Sequence, residues 1–316
     1  MQTARVNNGK IAIIGSGTLA SGIAQQLRGL GAQTVSLPDM TGPLAPFLGV
    51  IEATGGMAPA FDCALTALGR GLPLISASPL LAGVHGQVLL TAARAQNVGL
   101  GLSGALLGAT PLPASGNEVV MLTNGAAADI ISRMADRGQN LETALKELGA
   151  RHADTSDAGG KVTLCRALAL HGLWSGHKWF NPGAVKRTDI ASLNAERVAN
   201  VRRAGYVWRF GAIIKPHEIY VGPLAVGAAE PLAQRTGMVI ETGAVTIDIR
   251  QSETERALEG LLHDTRLLLS NQLQAPLAAT AKTAGASMVT DWLPLGEGAA
   301  IPALGQAAVS SLRIAA

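Results

Sequence analysis

A short apolar run, Lys10–Ile14, meets Gly15-Ser16-Gly17, and a stretch with apolar residues at helical spacing, 19–30, follows at once. Strand, glycine turn and helix in direct succession constrain the fold more than any other feature. A strand that hands over to a helix brings its next strand back parallel to it. The alternation continues, with strands expected at 34–37, 48–52, 73–76 and 98–102 and helices at 60–69 and 83–96. The series implies an α/β, doubly wound parallel sheet.

From Glu118 the pattern changes. A strand is expected at 118–123 and helices at 126–136, 140–148 (ended by Gly149), 162–174 and 190–203. Strands follow at 206–214 and 218–224. A single long strand is expected at 238–249, where apolar and polar residues alternate as on an antiparallel strand with one wet face. Helices are expected at Glu253–Leu269 and at 302–314. This second part reads as an α+β domain.

Composition narrows the function. Of 316 residues 48% are hydrophobic and 15% charged, and the 38 glycines follow no triplet period, which excludes collagen, a coiled coil and a disordered chain. Lys and Arg number 25 against 22 Asp and Glu, too even for a nucleic-acid footprint. The densest basic stretch, 197–215 with Arg202, Arg203 and Arg209, reads as a solvated helix face or a subunit edge. Cys63 and Cys165 lie in apolar segments without a Cys/His cluster, so buried small hydrophobes are expected rather than a metal site or a disulfide. No run of about 18 apolar residues and no signal-peptide pattern occurs, so no membrane span and a cytoplasmic location are expected.

The glycine turn carries the chemistry. Gly15 permits the tight turn, Gly17 lets the backbone approach a pyrophosphate, and Ala20 is small enough for helix–strand packing. Thr18 and Leu19 open the helix whose N–H groups face that phosphate. Asp39, about 20 residues further on, suits a ribose hydroxyl and leans toward NAD over NADP, because a carboxylate repels a 2′-phosphate. The competing reading is a plain tight turn in a domain that binds nothing.

These residues resemble the homoserine dehydrogenase family. Ile14–Gly22 (IGSGTLASG) resembles its GxGTxGxG turn, 51–56 (IEATGG) its ExxGG segment, and 74–82 (LISASPLLA) the stretch that carries TANK. Asn124-Gly125-Ala126-Ala127 resembles NGTT, 141–155 the segment ending EADP, and Glu230-Pro231-Leu232-Ala233 with Gly237 the PLAxxxG motif. Gly296-Glu297-Gly298-Ala299 resembles the terminal GxGAG turn. The matches keep their order and cover most of the chain. The resemblance implies a Rossmann-type dinucleotide-binding domain formed by 1–118 and 297–316. It also implies a substrate and dimerisation domain at 119–296, a homodimer, a small-molecule substrate and no regulatory extension at the C-terminus. Thr54, Gly55 and Ser76 join Gly15, Gly17, Thr18, Leu19 and Asp39 as candidate cofactor contacts, and Asn124, Gly125, Asp154 and Asp157 are candidate substrate contacts.

The departures fall on the chemistry. The family's lysine after TAN aligns near Ser78 or Pro79, and its EADP glutamate aligns with His152. Its paired Asp and Lys, one turn apart on a helix, align with Val162 and Arg166, and the NGTT threonines become Ala126 and Ala127. Homoserine's ammonium and hydroxyl proton thus lose their expected partners. His152 is the candidate general acid or base, Arg166 the candidate fork for a substrate carboxylate, and Lys161, after Gly159-Gly160, a third catalytic candidate. The competing readings are a loop histidine, a structural or surface arginine, and helix-cap aspartates.

The expected function is an NAD(P)-dependent oxidoreductase acting on a small carboxylate-bearing hydroxy, oxo or amino acid other than homoserine. The alternatives are an aspartate-type amino-acid dehydrogenase, whose SGA segment Ser103-Gly104-Ala105 faintly resembles, and a non-catalytic nucleotide-binding sensor. His171 and His177 flank Trp174 near Trp179, where core packing competes with an aromatic substrate wall. The spacing of these histidines argues against a metal.

Overall fold

The computed structural model describes residues 9–38, 47–54, 57–106, 108, 118–122, 126–151, 160–174, 179–229, 233, 236–240, 245–249, 253–273 and 293–294. In chain order the elements begin β1 (Lys10–Ile14), α1 (Thr18–Gly29), β2 (Gln33–Leu37), β3 (Phe47–Glu52), α2 (Met57–Gly69), β4 (Leu74–Ser76), α3 (Pro79–Ala95) and β5 (Leu100–Gly101). Then come β6 (Val119–Leu122), α4 (Ala126–Arg137), α5 (Leu141–Arg151), α6 (Lys161–Trp174), β7 (Lys186–Arg187), α7 (Ala195–Arg203), β8 (Tyr206–Lys215) and β9 (Glu218–Gly227). The last are β10 (Thr236–Ile240), β11 (Val245–Ile249), α8 (Glu253–Leu269) and β12 (Leu293–Pro294). The helix expected at 302–314 lies outside the described residues. The chain divides into two compact units.

The first unit comprises Met1–Leu112, Leu168–Phe180 and Gln251–Thr280. Its five strands run parallel in the order β2-β1-β3-β4-β5. Alternation along β1 sends Ile11 and Ile13 to one face and Ala12 and Ile14 to the other, and both sets are buried. Ile11 and Ile13 pack with Ile23 and Leu27 of α1 and Leu261 of α8. Ala12 and Ile14 pack with Ala60, Ala64 and Leu68 of α2, with Leu89 of α3, and with Ala169 and Leu173. The sheet is therefore sandwiched between helices on both faces, as the strand–helix alternation predicts.

Two devices lock these layers. Trp179 sits where Cβ atoms on Gly86 and Gly172 would stand, and its indole N–H donates to the Ala82 carbonyl at 3.1 Å. Trp179 and the buried His171, edge-on to Phe180 at 5.2 Å, are thus packed within this unit. On the opposite face the buried carboxylate of Asp264 accepts the Ser103 N–H at 2.9 Å and the Ser103 hydroxyl at 2.7 Å. Gly101, Gly104 and Gly260 let α8 lie close here: a Cβ on Gly101 would collide with Asp264 and one on Gly260 with the Ser103–Gly104 backbone, and one on Gly104 would press on the Ala257 carbonyl and Leu261 of α8.

The second unit comprises Pro113–Ala167, Asn181–Arg250 and Ala281–Ala316. Its sheet has seven strands in the order β11-β10-β6-β8-β9-β12, with β7 beside β9. Val120, Leu122, Ile213, Leu224 and Val226 form an apolar cluster on it, and α4 and α7 pack against β8.

Several expected boundaries move for local reasons. The single strand expected at 238–249 is a hairpin: β10 and β11 pair antiparallel with Ile240 opposite Val245. The alternation joined two strands that the structure separates after Ile240. The helix expected at 190–203 is a one-turn 3₁₀ helix, Ile190–Ser192, followed by α7. Asn194 separates them by accepting the Arg197 N–H at 2.8 Å as the N-cap of α7. Helix α5 runs through Gly149 to Arg151 rather than ending before it, and Asn140 caps its start through the Thr143 N–H at 2.8 Å. Helix α3 begins at Pro79, four residues early, because Ser78 caps it and proline's fixed φ suits the first helical position.

The basic stretch is mostly structural. Arg197 donates to the Ser192 carbonyl at 3.0 Å and Arg202 to the Ala135 carbonyl at 2.8 Å. Arg209 donates to the carbonyls of Trp208 and Ala233, and burial lowers its pKa.

Two outcomes test this packing. Trp179→Ala is expected to destabilise the protein by about 3 kcal/mol in urea denaturation, since a large ring between two glycines leaves a hole that no side chain refills. Asp264 is raised above the usual carboxylate range by burial, with the Ser103 bonds opposing. Its ionisation therefore weakens the folded state as pH climbs from about 3.9 through the raised folded value. Asp264→Asn cannot ionise, so the stability gap between wild type and variant should shift toward the variant as pH rises from about 4 through the raised folded value. A gap constant with pH would contradict this assignment.

Candidate functional site

The carboxyl ends of β1, β3 and β4 carry the groups that matter in the first unit. In the order β2-β1-β3-β4-β5 the chain leaves β1 toward β2 on one side and returns to β3 on the other. The ends of β1 and β3 thus flank the switch point where open α/β sheets take their ligands.

The β1–α1 turn is built there by two glycines with different reasons. Gly15 has φ +128, and a Cβ on it would strike the Ala53 carbonyl oxygen after β3. The fold itself demands glycine at 15. Gly17, the N-cap of α1, has φ −79 and ψ −178, a conformation any residue adopts, and nothing lies within 4 Å of where its Cβ would be. The fold does not demand glycine at 17. No side chain caps α1, so the N–H groups of Thr18 and Leu19 in its first turn are left for solvent or an anion. An exposed turn with an open Cβ position and an uncapped helix start fits a pyrophosphate held on backbone N–H groups.

Beside the turn lies a buried carboxylate that sequence reasoning noted only as part of a motif. Glu52 ends β3 and is wholly buried. Its Oε1 accepts the Thr54 N–H at 2.8 Å and the Thr54 hydroxyl at 2.7 Å; its Oε2 accepts the Ser76 hydroxyl at 2.6 Å. The Ser76 oxygen in turn accepts the Ser78 N–H at 3.1 Å, and Ser78 Oγ accepts the Leu81 N–H at 3.2 Å as the cap of α3. The signal available in the sequence was a charged residue closing the apolar strand FLGVIE, with two hydroxyl residues one strand away or nearer. Burial, helped by Glu52, pushes the Cys63 thiol up to about 12, which leaves it un-ionised and inert.

The structure thus brings Gly15, Gly17, Thr18, Leu19, Thr54 and Ser76 to one edge of one sheet. Asp39, Gly55, Asn124, Gly125, His152, Asp154 and Asp157 lie outside the described residues, as does His177. In the second unit Lys161 is the exposed first residue of α6 and Arg166 is buried further along it. Their spacing turns the two side chains well apart around the helix axis. His85 stacks on Phe61 with ring centroids 4.0 Å apart. Cys63 and Cys165 are both buried and unbridged. Among the described residues no helix is long and apolar enough to cross a membrane, and no group of three or more His, Cys, Asp or Glu could hold a metal.

Comparison with known proteins places this arrangement. Residues 115–252 match the family model described as homoserine dehydrogenase. A homoserine dehydrogenase of Neisseria gonorrhoeae is 29% identical over 139 residues, covering 38% of this chain and 32% of the relative. The matched part thus spans about a third of that relative's length. Among solved structures, a homoserine dehydrogenase from Thiobacillus denitrificans superposes with a TM-score of 0.71 at 19% identity, over 87% of this chain and 79% of that one. A hyperthermophilic archaeal homoserine dehydrogenase in complex with NADPH does so with a TM-score of 0.65 at 16% identity, over 83% and 98%. The chain is homoserine dehydrogenase-like: it has the fold of these enzymes, a Rossmann-type sheet joined to a second mixed sheet, and resembles them in sequence through its middle.

The two glycines separate by mutation. Gly15→Ala is expected to cost about 2 kcal/mol or more of stability, from backbone strain and the Ala53 carbonyl. Gly17→Ala should stay within about 0.5 kcal/mol of wild type in the same denaturation series.

Proposed function

On this homoserine dehydrogenase-like fold, we propose that the protein is an NAD(P)-dependent oxidoreductase acting on a small substrate that carries a carboxylate and is not homoserine. The observation that carries the reading is Gly17. Its conformation and its surroundings impose no glycine, and it sits at an uncapped helix start on the switch point. A glycine kept where the protein needs none suits close approach by something that is not protein.

When bound, the dinucleotide supplies the hydride chemistry at its nicotinamide ring. In this proposal the chain's own residues bind and orient. The Gly15–Gly17 turn and the N–H groups of Thr18 and Leu19 hold the pyrophosphate. Asp39 accepts from the adenosine ribose and favours NAD over NADP, whereas the archaeal relative was solved with NADPH. Thr54 and Ser76 stand at the ends of β3 and β4, on the other side of the switch point, and with Gly55 they complete the cofactor contacts. In the second unit Asn124, Gly125, Asp154 and Asp157 contact the substrate, and Arg166 forks its carboxylate. His152 holds or moves the hydroxyl proton at its imidazole, whose ordinary pKa of about 6.5 suits that exchange near neutrality. Lys161 adds a positive charge. Replacing the family's glutamate, aspartate and lysine by His152, Val162 and Arg166 favours a substrate more anionic than homoserine. The working protein is a cytoplasmic homodimer on this reading.

Calorimetric titration with NAD, NADP and their reduced forms tests the proposal. Wild type is expected to bind one of the four, and Gly17→Val to bind it at least about 100-fold more weakly with an unchanged melting temperature. Equal affinity in the folded variant would remove the pyrophosphate from this turn. Binding without turnover of any hydroxy, oxo or amino acid would favour a nucleotide sensor, which the missing family side chains also suit.

A further inference from the structure

The dinucleotide site leaves one buried charge without a role. Glu52 closes a strand whose other residues are apolar or glycine, is wholly buried, and is satisfied by three neutral donors rather than a cation. An ionisable group so placed is retained at a cost in desolvation unless its bonds do something an apolar side chain cannot. What its bonds do is join two turns. Thr54 opens the connection from β3 to α2; Ser76 ends β4; and Ser76 passes the constraint to Ser78, the cap of α3. The β1–α1 turn is tied to β3 differently, by the Ala53 N–H to the Ile14 carbonyl at 2.8 Å and by the close fit of Gly15 on Ala53. Those are backbone contacts, which the Glu52 side chain does not make.

We infer that Glu52 is a positioning residue for the nicotinamide half of the dinucleotide, its carboxylate fixing the turns after β3 and β4 that receive that half. This rests on the dinucleotide site proposed above. The adenosine half rests on the β1–α1 turn and the end of β2, in keeping with the division of such sheets into two mononucleotide-binding halves. Loss of the Glu52 carboxylate therefore loosens one half of the site and spares the other. A general loss of structure would affect both.

The experiment is a calorimetric titration of the full chain with the dinucleotide that wild type accepts and with adenosine 5′-diphosphate, alongside melting curves. Glu52→Ala is expected to weaken the dinucleotide at least about tenfold while adenosine diphosphate changes by less than about twofold. Glu52→Gln should recover dinucleotide affinity to within about threefold of wild type. Its amide oxygen accepts both Thr54 bonds and its amide nitrogen donates to Ser76 Oγ. If Glu52→Ala does not fold, Ser76→Ala removes one of the three Glu52 bonds, together with the Ser78 N–H bond to the same hydroxyl, and should weaken the dinucleotide about threefold with adenosine diphosphate unchanged. A folded Glu52→Ala, or in its place Ser76→Ala, that binds the dinucleotide as wild type does overturns the inference. So does a variant that loses both ligands equally. Wild type that binds no dinucleotide overturns the proposed function, and this inference with it.

Discussion

A parallel sheet buried on both faces has no wet side, and the first unit is arranged around that constraint. In β1, β3 and β4 every residue between the ends is apolar or glycine, and helices cover both faces. Helices α1 and α8 cover one; α2 and α3, with Ala169 and Leu173, cover the other. With the faces closed, polar chemistry in this unit gathers where strands hand over to turns. The Gly15–Gly17 turn, Thr54, Ser76 and Ser78 all stand at carboxyl ends of strands.

The same constraint explains how the buried polar groups behave. Glu52 and Asp264 are both buried carboxylates, each satisfied by hydroxyl and N–H donors that lie near it. They do different work. Asp264 fastens α8 to the backbone around Ser103, which is a matter of layer packing. Glu52 fastens two turns at the edge where a ligand would lie. The aspartate-type resemblance of Ser103-Gly104-Ala105 falls on the first of these, where both Ser103 donors are engaged. Glycines play an equally divided part: Gly86 and Gly172 make room for Trp179, Gly15 accepts a backbone conformation few residues adopt, and Gly17 leaves space open.

The order of elements was legible because each carries its own period. Helix α8 could be placed from its apolar spacing alone, and the first five strands came within two residues of their ends. Errors arose where a local hydrogen bond or turn overruled periodicity, as at Asn194, Ser78 and the β10–β11 hairpin. The candidate site was legible in part. The glycine turn announces itself by its place between strand and helix. Glu52 does not, because a glutamate ending a strand looks the same in sequence whether it points to solvent or is clamped by Thr54 and Ser76.

The sequence by itself determined that there would be a doubly wound sheet and where its first turn would lie. These are properties of adjacent residues and of fixed spacings. The tertiary structure alone decided which glycines the fold requires, which carboxylates are buried, that Arg166 is buried, and what Trp179 packs against. Those outcomes depend on residues brought together from distant parts of the chain: Glu52 with Ser76, Gly86 with Gly172, Ser103 with Asp264. Burial and partner choice are set by packing across elements, and no local period encodes them.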